Sequence, residues 1–543
     1  MVRHKGVLFR SVAVWLVITV SSVMILTGCS GNNKEPVKAT ASSTTPSTAS
    51  ASNSASANPY EKQLEISWIG FNQTGKANDK MDSSTKKLIE QKFNVKINMV
   101  LLDMSNKEQV NLYFAEGKTA DFINLNVPYA PLLDQGLFKE ISPDKMRKLM
   151  PTWMKKVDEM IGKNVTDITM QYKGKNYFVP YIGYANTQPW VMGVRKDWLD
   201  NVGIAKLPET LEEYHDMLKR FTFNDPDKNG KNDTFGGHGL QLYLRGAFGF
   251  GSSNIAFYAD KNGKVAPIAI SEGFKDYLKT MQAWNKEGLL DPESLTDQRP
   301  QQRAKWSEGK FGVLADHPWS YASTTAANIT NMVTDKNPAA RIAFLKPFAG
   351  PTGDKGAGGL GFPRAGYGFA FGKNTSDEKI ERIMAIKEYL TANEEFYTRV
   401  YYGEEGKGYT RDQSGVIVLN KEYSSVDKIN EEGIAQYFGF APVSWDFAKK
   451  NLAGKSDLPA YEISMSSPIK YNDVNFAFGG TNEALAKYGT AITTVVTEFE
   501  TNAAYGKLDI DKEWEAFKKK FLDAGGQAIM EEYQKLYDAT NKK

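Results

Sequence analysis

Oxygen-bearing side chains recur at alternate positions in the stretch FNDPDKNGKNDTFG, where Asp225, Asp227, Asn229 and Asp233 take places 1, 3, 5 and 9 of a loop frame and Gly230 takes place 6. Side chains at alternate places turn inward and the glycine permits the sharp bend. Lys231 at place 7 offers its backbone carbonyl, so the spacing is that of a Ca2+ loop. Place 12 is Gly236 rather than the bidentate glutamate of a switching EF-hand, so the loop is not a calmodulin-like switch. The plain alternative is a surface turn after a helix that ends near Phe221.

A second set of residues suits recognition. With 26 Tyr, 10 Trp and 29 Phe, the chain has more aromatic side chains than a core of its size needs. Flat rings receive the C–H face of a pyranose, and amides, carboxylates and guanidinium groups receive its hydroxyls. Tyr181, Trp190, Trp319, Tyr367 and Trp445 stand in irregular segments after apolar strands. Each alone is more readily a packing residue, but at least two of the five are expected to face a ligand cleft. Trp198, inside the helical turn RKDWL, is expected to pack.

Groups for covalent or metal-assisted chemistry do not assemble. The four histidines (His4, His215, His238, His317) are scattered, and neither HExxH, GxSxG nor GxxxxGK[ST] occurs. The run Gly356-Ala357-Gly358-Gly359-Leu360-Gly361 has no lysine and no helix after it, so it reads as a loop near an interlobe crossing. A pair of carboxylates could be drawn from the 64 acids, which leaves a surface polysaccharide-degrading enzyme as the alternative class without positive support.

The single cysteine, Cys29, closes a leader. Arg3, Lys5 and Arg10 precede an apolar run from Val12 to Leu26, and Leu26-Thr27-Gly28-Cys29 follows; this is a secretory signal, 1–28. The run is shorter than the roughly 20 residues of a membrane span. Its ending resembles the lipobox of bacterial lipoproteins, which implies acylation of Cys29 and an anchor on the outer face of the cell membrane. From 29 to 59 the chain is rich in Ser, Thr and Ala with little to bury, and reads as a disordered tether.

The elements that must position these residues belong to 60–543. At 543 residues the chain is long enough for two or three lobes, and a net charge of +3 without a basic block argues against nucleic acid. Leu64–Ile69 alternates as a strand, a helix runs to Phe93, and 95–100 alternates again; strand, helix, strand implies a parallel unit and an α/β lobe. Gly turns at 172–175 and 260–263 predict hairpins. Thr210 with Glu213 is a capping box opening an amphipathic helix, and further helices are predicted at 272–286, 377–391, 482–499 and 511–523.

In this order, the leader, the tether, Arg195-Lys196-Asp197-Trp198-Leu199 before Leu207-Pro208-Glu209-Thr210, and Tyr402-Gly403-Glu404-Glu405-Gly406-Lys407-Gly408-Tyr409 resemble extracellular solute-binding lipoproteins of carbohydrate ABC importers, family 1, of the alginate-binding and LplA-like subgroup. The resemblance runs the length of the chain. It implies a two-lobe periplasmic-binding-protein-like fold (type II), with the N-lobe at about 60–185 and 364–437 and the C-lobe at about 186–363 and 438–543, and a cleft between them. It implies a monomer that binds an oligosaccharide or related sugar without catalysis and passes it to ABC permease subunits; a peptide or other solute is the further alternative. The alginate-binding relatives carry a similar loop with structural calcium, often with an acid where this chain has Thr234.

Overall fold

The computed structural model describes residues 60–541, all within the compact unit Asn58–Lys543, apart from 71–80, 103–105, 126–129, 162, 164, 165, 168–170, 182–189, 239–241, 252, 295, 323–327, 357–367, 453–456, 467–471 and 475–481. The leader, the tether, Cys29, Tyr367 and most of the glycine-rich run therefore lie outside the described residues.

Strand Leu64–Ile69 buries Leu64, Ile66 and Trp68 and exposes Glu65, the alternation read from the sequence. It pairs in parallel with Val95–Met99 on one side and Phe122–Leu125 on the other. Helix Ser84–Phe93 makes the first crossover. It starts where the Ser83 side chain accepts from the Lys86 amide and stops at Asn94, which takes the left-handed conformation (φ 45°). The sheet is completed in antiparallel sense by Gly368–Ala370 and Phe178–Pro180, giving five strands. Helix Asp377–Ala392 packs Ile380, Ile383, Met384 and Leu390 into the same core.

The second lobe is built differently from the parallel unit of the first. Strand Val191–Arg195 lies between Val313–Asp316 and Ile342–Leu345, antiparallel to both. Helices surround it: Leu211–Phe223 with the Thr210/Glu213 capping box, Glu272–Lys286, Glu483–Ala504 and Ile510–Phe521. Trp198 is fully buried, edge-on to Phe221 at 5.5 Å, as expected of the RKDWL turn.

The first hydrophobic core extends past residue 437, through Phe440, Ala441, Val443, Phe447, Ala448 and Leu452. The buried Lys387 ammonium, donating to the Phe438 carbonyl at 2.8 Å and to that of Phe440 at 3.3 Å, fastens this segment to the first lobe.

Strand registers bring one end of each sheet toward the candidate residues. Leu125, Gly368 and Pro180 are paired neighbours at one edge of the first sheet, and Val191 pairs with Asp316 at one edge of the second. The chain leaves the first edge at Tyr181 and enters the second at Trp190, so these edges are joined by a short connection. Leu125, Pro180, Asp316 and Leu345 are the carboxyl ends of their strands, where ligands of α/β lobes sit.

Candidate ligand-binding site

Strand Val313–Asp316 ends at this edge and turns through His317 into the short helix Pro318–Tyr321. The His317 imidazole stacks on Trp319 at 3.8 Å and 16°, and meets Trp190 edge-on at 5.0 Å. Trp319 also packs with Ala322 and Tyr461, and the Tyr461 ring centroid lies 5.3 Å from that of Trp445. Trp445 opens the helix Trp445–Asn451 after the Ser444 cap and packs against the first core as well as this small cluster. Three of the five aromatic candidates thus come together through His317 and Tyr461, with surface drawn from both lobes.

Tyr181 does not join them as an open platform. It is buried in the first core, its ring 3.7 Å from that of Phe440, because it follows the buried strand Phe178–Pro180 and finds an apolar partner there. Tyr367 lies outside the described residues.

A charged assembly holds the aromatic turn. Arg299 and Arg303, one helical turn apart on Arg299–Ser307, both close on Asp316: Arg303 donates from Nε at 2.8 Å and from Nη2 at 3.1 Å, and Arg299 from Nε at 3.2 Å and from Nη2. Both also reach Ser320 Oγ, and Asp316 Oδ1 accepts from the His317 amide at 2.7 Å. Burial raises the Asp316 pKa, but hydrogen bonds from Arg303 and Arg299 outweigh it and hold the carboxyl down at about 2. Burial first, and then the Arg299 charge, press His317 down to about 3, so a neutral ring stacks on Trp319.

Several polar atoms near these edges are buried without hydrogen bonds: His317 Nδ1, Trp190 Nε1, and both amide atoms of Asn124 on strand Phe122–Leu125. Such groups are costly unless something satisfies them. Neither Asn124 nor the Arg299–Arg303–Asp316 assembly was picked from the sequence. The i, i+4 arginines were a visible signal, but their shared carboxylate comes from another element.

The loop 225–233 turns on three residues with positive φ, Asp225 (46°), Lys228 (56°) and Gly230 (77°). Asp225 accepts from the amides of Asn229 and Gly230, both at 3.0 Å, and the Asn229 side chain reaches Asp227 at 2.9 Å and Asp233 at 3.1 Å. Asp227 Oδ1 is buried with no partner, and its carboxyl is pushed up by burial, by the hydrogen bond with Asp225 and by the charge of Asp233. An unpaired carboxylate oxygen among crowded acids fits a hard cation. The Thr234 hydroxyl donates to the Phe221 carbonyl at 2.8 Å and is committed there. Gly236 explains the missing glutamate: a Cβ at this place would lie 2.6 Å from the Leu218 carbonyl oxygen.

His238, Asp291 and Asp297 also bring ligand atoms within 4.8 Å of one another. The Lys305 ammonium already occupies that acid cluster, 3.1 Å from Asp291 and 2.6 Å from Asp297, and supplies the positive charge itself.

Comparison with known proteins supplies the context. The family described as bacterial extracellular solute-binding protein matches residues 78–395, and a domain of unknown function matches 485–542. The chain is 24% identical over 445 residues to the polygalacturonan/rhamnogalacturonan-binding protein YtcQ of Bacillus subtilis (strain 168), covering 80% of this chain and 84% of that one. It is 25% identical over 570 aligned residues to lipoprotein LipO of the same organism, covering 97% and 98%. In structure it is similar to FusA of S. pneumoniae in complex with kestose (TM-score 0.64, 20% identity, 88% of this chain and 98% of that one), a protein also solved as an EF-hand mutant. It is likewise similar to the alginate-binding protein AlgQ2 solved without calcium ion (TM-score 0.64, 19% identity, 88% and 98%).

Proposed function

We propose a function from the premise that this chain belongs to the bacterial extracellular solute-binding proteins: it captures an oligosaccharide or related sugar between its lobes and delivers it, unchanged, to the permease subunits of an ABC importer. The observation that carries the reading is the assembly of Trp190, Trp319 and Trp445 through His317 and Tyr461, with Trp445 anchored in one lobe and Trp190 and Trp319 in the other. Half-buried rings at a lobe junction suit stacking on sugar rings, and a ligand touching both lobes favours the closed form only by contacts made there. The names of YtcQ and FusA, which bind saccharides, support the same choice.

Trp319→Ala and Trp445→Ala are expected to weaken oligosaccharide binding about five- to a hundredfold, the range of one lost aromatic stack, with little change in melting temperature. Isothermal titration checks this. Affinity unchanged in both variants would remove the cluster from the binding site.

The lobe boundaries follow the cores: about 60–181 and 368–452 in the first lobe, 190–348 and 474–533 in the second. Ca2+ is assigned to Asp225, Asp227, Asn229, Asp233 and the Lys231 carbonyl, where it would neutralise the crowded carboxylates and lock the loop after helix Leu211–Phe223. Adding Ca2+ to chelator-treated protein is expected to raise the melting temperature by several degrees, on the order of 2–3 kcal/mol at saturation, and Asp227→Ala to abolish the rise. A rise of equal size in the variant would move the ion elsewhere.

No helix of the described residues is long and apolar enough to cross a membrane. Attachment is assigned to acylated Cys29, from the Leu-Thr-Gly-Cys ending of the leader and the likeness to lipoprotein LipO. Cys29→Ser is expected to move the protein out of the membrane fraction or block its processing. Processing and membrane retention as before would contradict this.

A further inference from the structure

Unpaired indole nitrogens recur through the cores, at Trp68, Trp198, Trp306 and Trp514, and single out no place. Asn124 differs from them. Among the described residues it alone has both ends of a side-chain amide, Nδ2 and Oδ1, buried without a hydrogen bond, and the residue is 1% exposed. It stands one residue short of the carboxyl end of strand Phe122–Leu125, paired with Phe369. Strand Leu64–Ile69 ends opposite Ile123, so Asn124 lies beyond its last residue. By the two-residue alternation of a strand it shares a sheet face with Phe122, whose ring stacks on Trp68 at 3.7 Å.

Polar groups of that core are engaged elsewhere. The Lys387 ammonium, 4.9 Å from the Phe122 ring centroid, donates to the Phe438 and Phe440 carbonyls, and Trp153 Nε1 donates to the Pro180 carbonyl at 2.7 Å. Leucine has nearly the size of asparagine and would fill the position with no polar atom to satisfy. The amide therefore lowers the stability of the ligand-free protein, and no described residue compensates it.

We propose that Asn124 is the hydrogen-bonding recognition group of the first lobe: its amide receives two neighbouring hydroxyls of one sugar ring, Oδ1 accepting from one and Nδ2 donating to the other. A vicinal hydroxyl pair satisfies both ends at once. A carboxylate or an ether oxygen, which only accepts, leaves Oδ1 unmet. In the arrangement described the amide is closed to solvent, so the ring reaches it as the lobes part and shut again on the ligand. This rests on the reading of the lobe junction as a sugar site, and it names the residue that the first lobe adds to Trp445 there.

The test pairs two measurements on Asn124→Leu. The melting temperature of the ligand-free variant is expected to rise by roughly 2–6 °C, because an unpaired amide has gone. Isothermal titration uses a panel of plant and microbial oligosaccharides, with kestose, trigalacturonate and cellotriose among them. The glycan that the unaltered protein binds most tightly is expected to bind the variant roughly ten- to a hundredfold more weakly. A residue that only held the fold would move both readings down together; a recognition group moves them apart. Of that glycan's mono-O-methyl ethers, at least one should bind the unaltered protein more weakly than the parent glycan and the variant no more weakly. If Asn124→Leu does not fold, Asn124→Ala, which removes the amide without adding bulk, decides by the same loss of affinity. A melting temperature that stays or falls in Asn124→Leu, or a folded variant that binds the glycan as tightly as before, would overturn the inference and leave the oligosaccharide reading standing. No binding of any saccharide by the unaltered protein would overturn both.

Discussion

Asp316→Asn is expected to lower the unfolding free energy by about 3 kcal/mol, the scale of losing charge-assisted hydrogen bonds to a buried carboxylate and leaving two guanidinium groups facing each other. The substitution keeps the shape and removes the charge. Four hydrogen bonds from Arg299 and Arg303 lose their ionic partner, as does the His317 amide. The arginines are partly exposed and regain some hydration, which keeps the cost below that of a fully buried pair. Since Asp316 ends the strand that carries His317 and Trp319, oligosaccharide binding should fall as well. Urea denaturation followed by tryptophan fluorescence measures the first effect, and a loss under about 1 kcal/mol would mean that the two arginines hold the turn without their shared acid.

Acidification should destabilise the protein through the same turn. His317 is held at about 3 in the folded protein, against an ordinary value of 6.5, by burial and by the Arg299 charge. Below pH 6.5 the unfolded chain takes up a proton that folded His317 refuses until about 3. Stability contributed by the neutral ring is therefore complete above 6.5 and lost as pH falls toward 3, on the order of 5 kcal/mol in all. Asp316 adds a smaller loss lower down: burial raises it but the arginines hold it at about 2 against an ordinary 3.8, so its contribution is present above 3.8 and disappears toward 2. Unfolding free energies at several pH values between 7 and 4 should slope downward, and His317→Gln should flatten that slope while other carboxylates and His238 keep theirs. An identical slope in the variant would show that His317 titrates normally.

Local signals in the sequence carried far. Strand Leu64–Ile69, the capping box at Thr210 and helix Glu272–Lys286 are set by alternation, capping and 3.6-residue periodicity within the segment itself, and each falls where those patterns put it. Trp198 was legible as a packing residue because its helical turn had no irregular neighbour to open it. What failed needed partners distant in the chain. Tyr181 looked like a platform until Phe440 covered it, and the core segment 440–452 follows from the carbonyl contacts of Lys387 and from the packing of Phe447 and Leu452, none of which has a local signature. The antiparallel second sheet could not be read either, since strands Val191–Arg195, Val313–Asp316 and Ile342–Leu345 are apolar runs whose pairing sense is set by long connections. At the candidate site, the tryptophans were proposed from composition and position, while Asn124 and the shared acid of Arg299 and Arg303 were visible only once strands and helix stood side by side.

In the proposed function the junction of the two lobes holds an oligosaccharide and leaves it intact. This is tested most directly by isothermal titration of the protein with a panel of plant and microbial oligosaccharides, followed by mass spectrometry of the glycan recovered after prolonged incubation. One glycan bound per chain with an affinity on the order of micromolar or tighter is expected, with a recovered glycan of unchanged mass. Binding no tighter than millimolar across the panel, or a glycan recovered in shorter pieces, would contradict it.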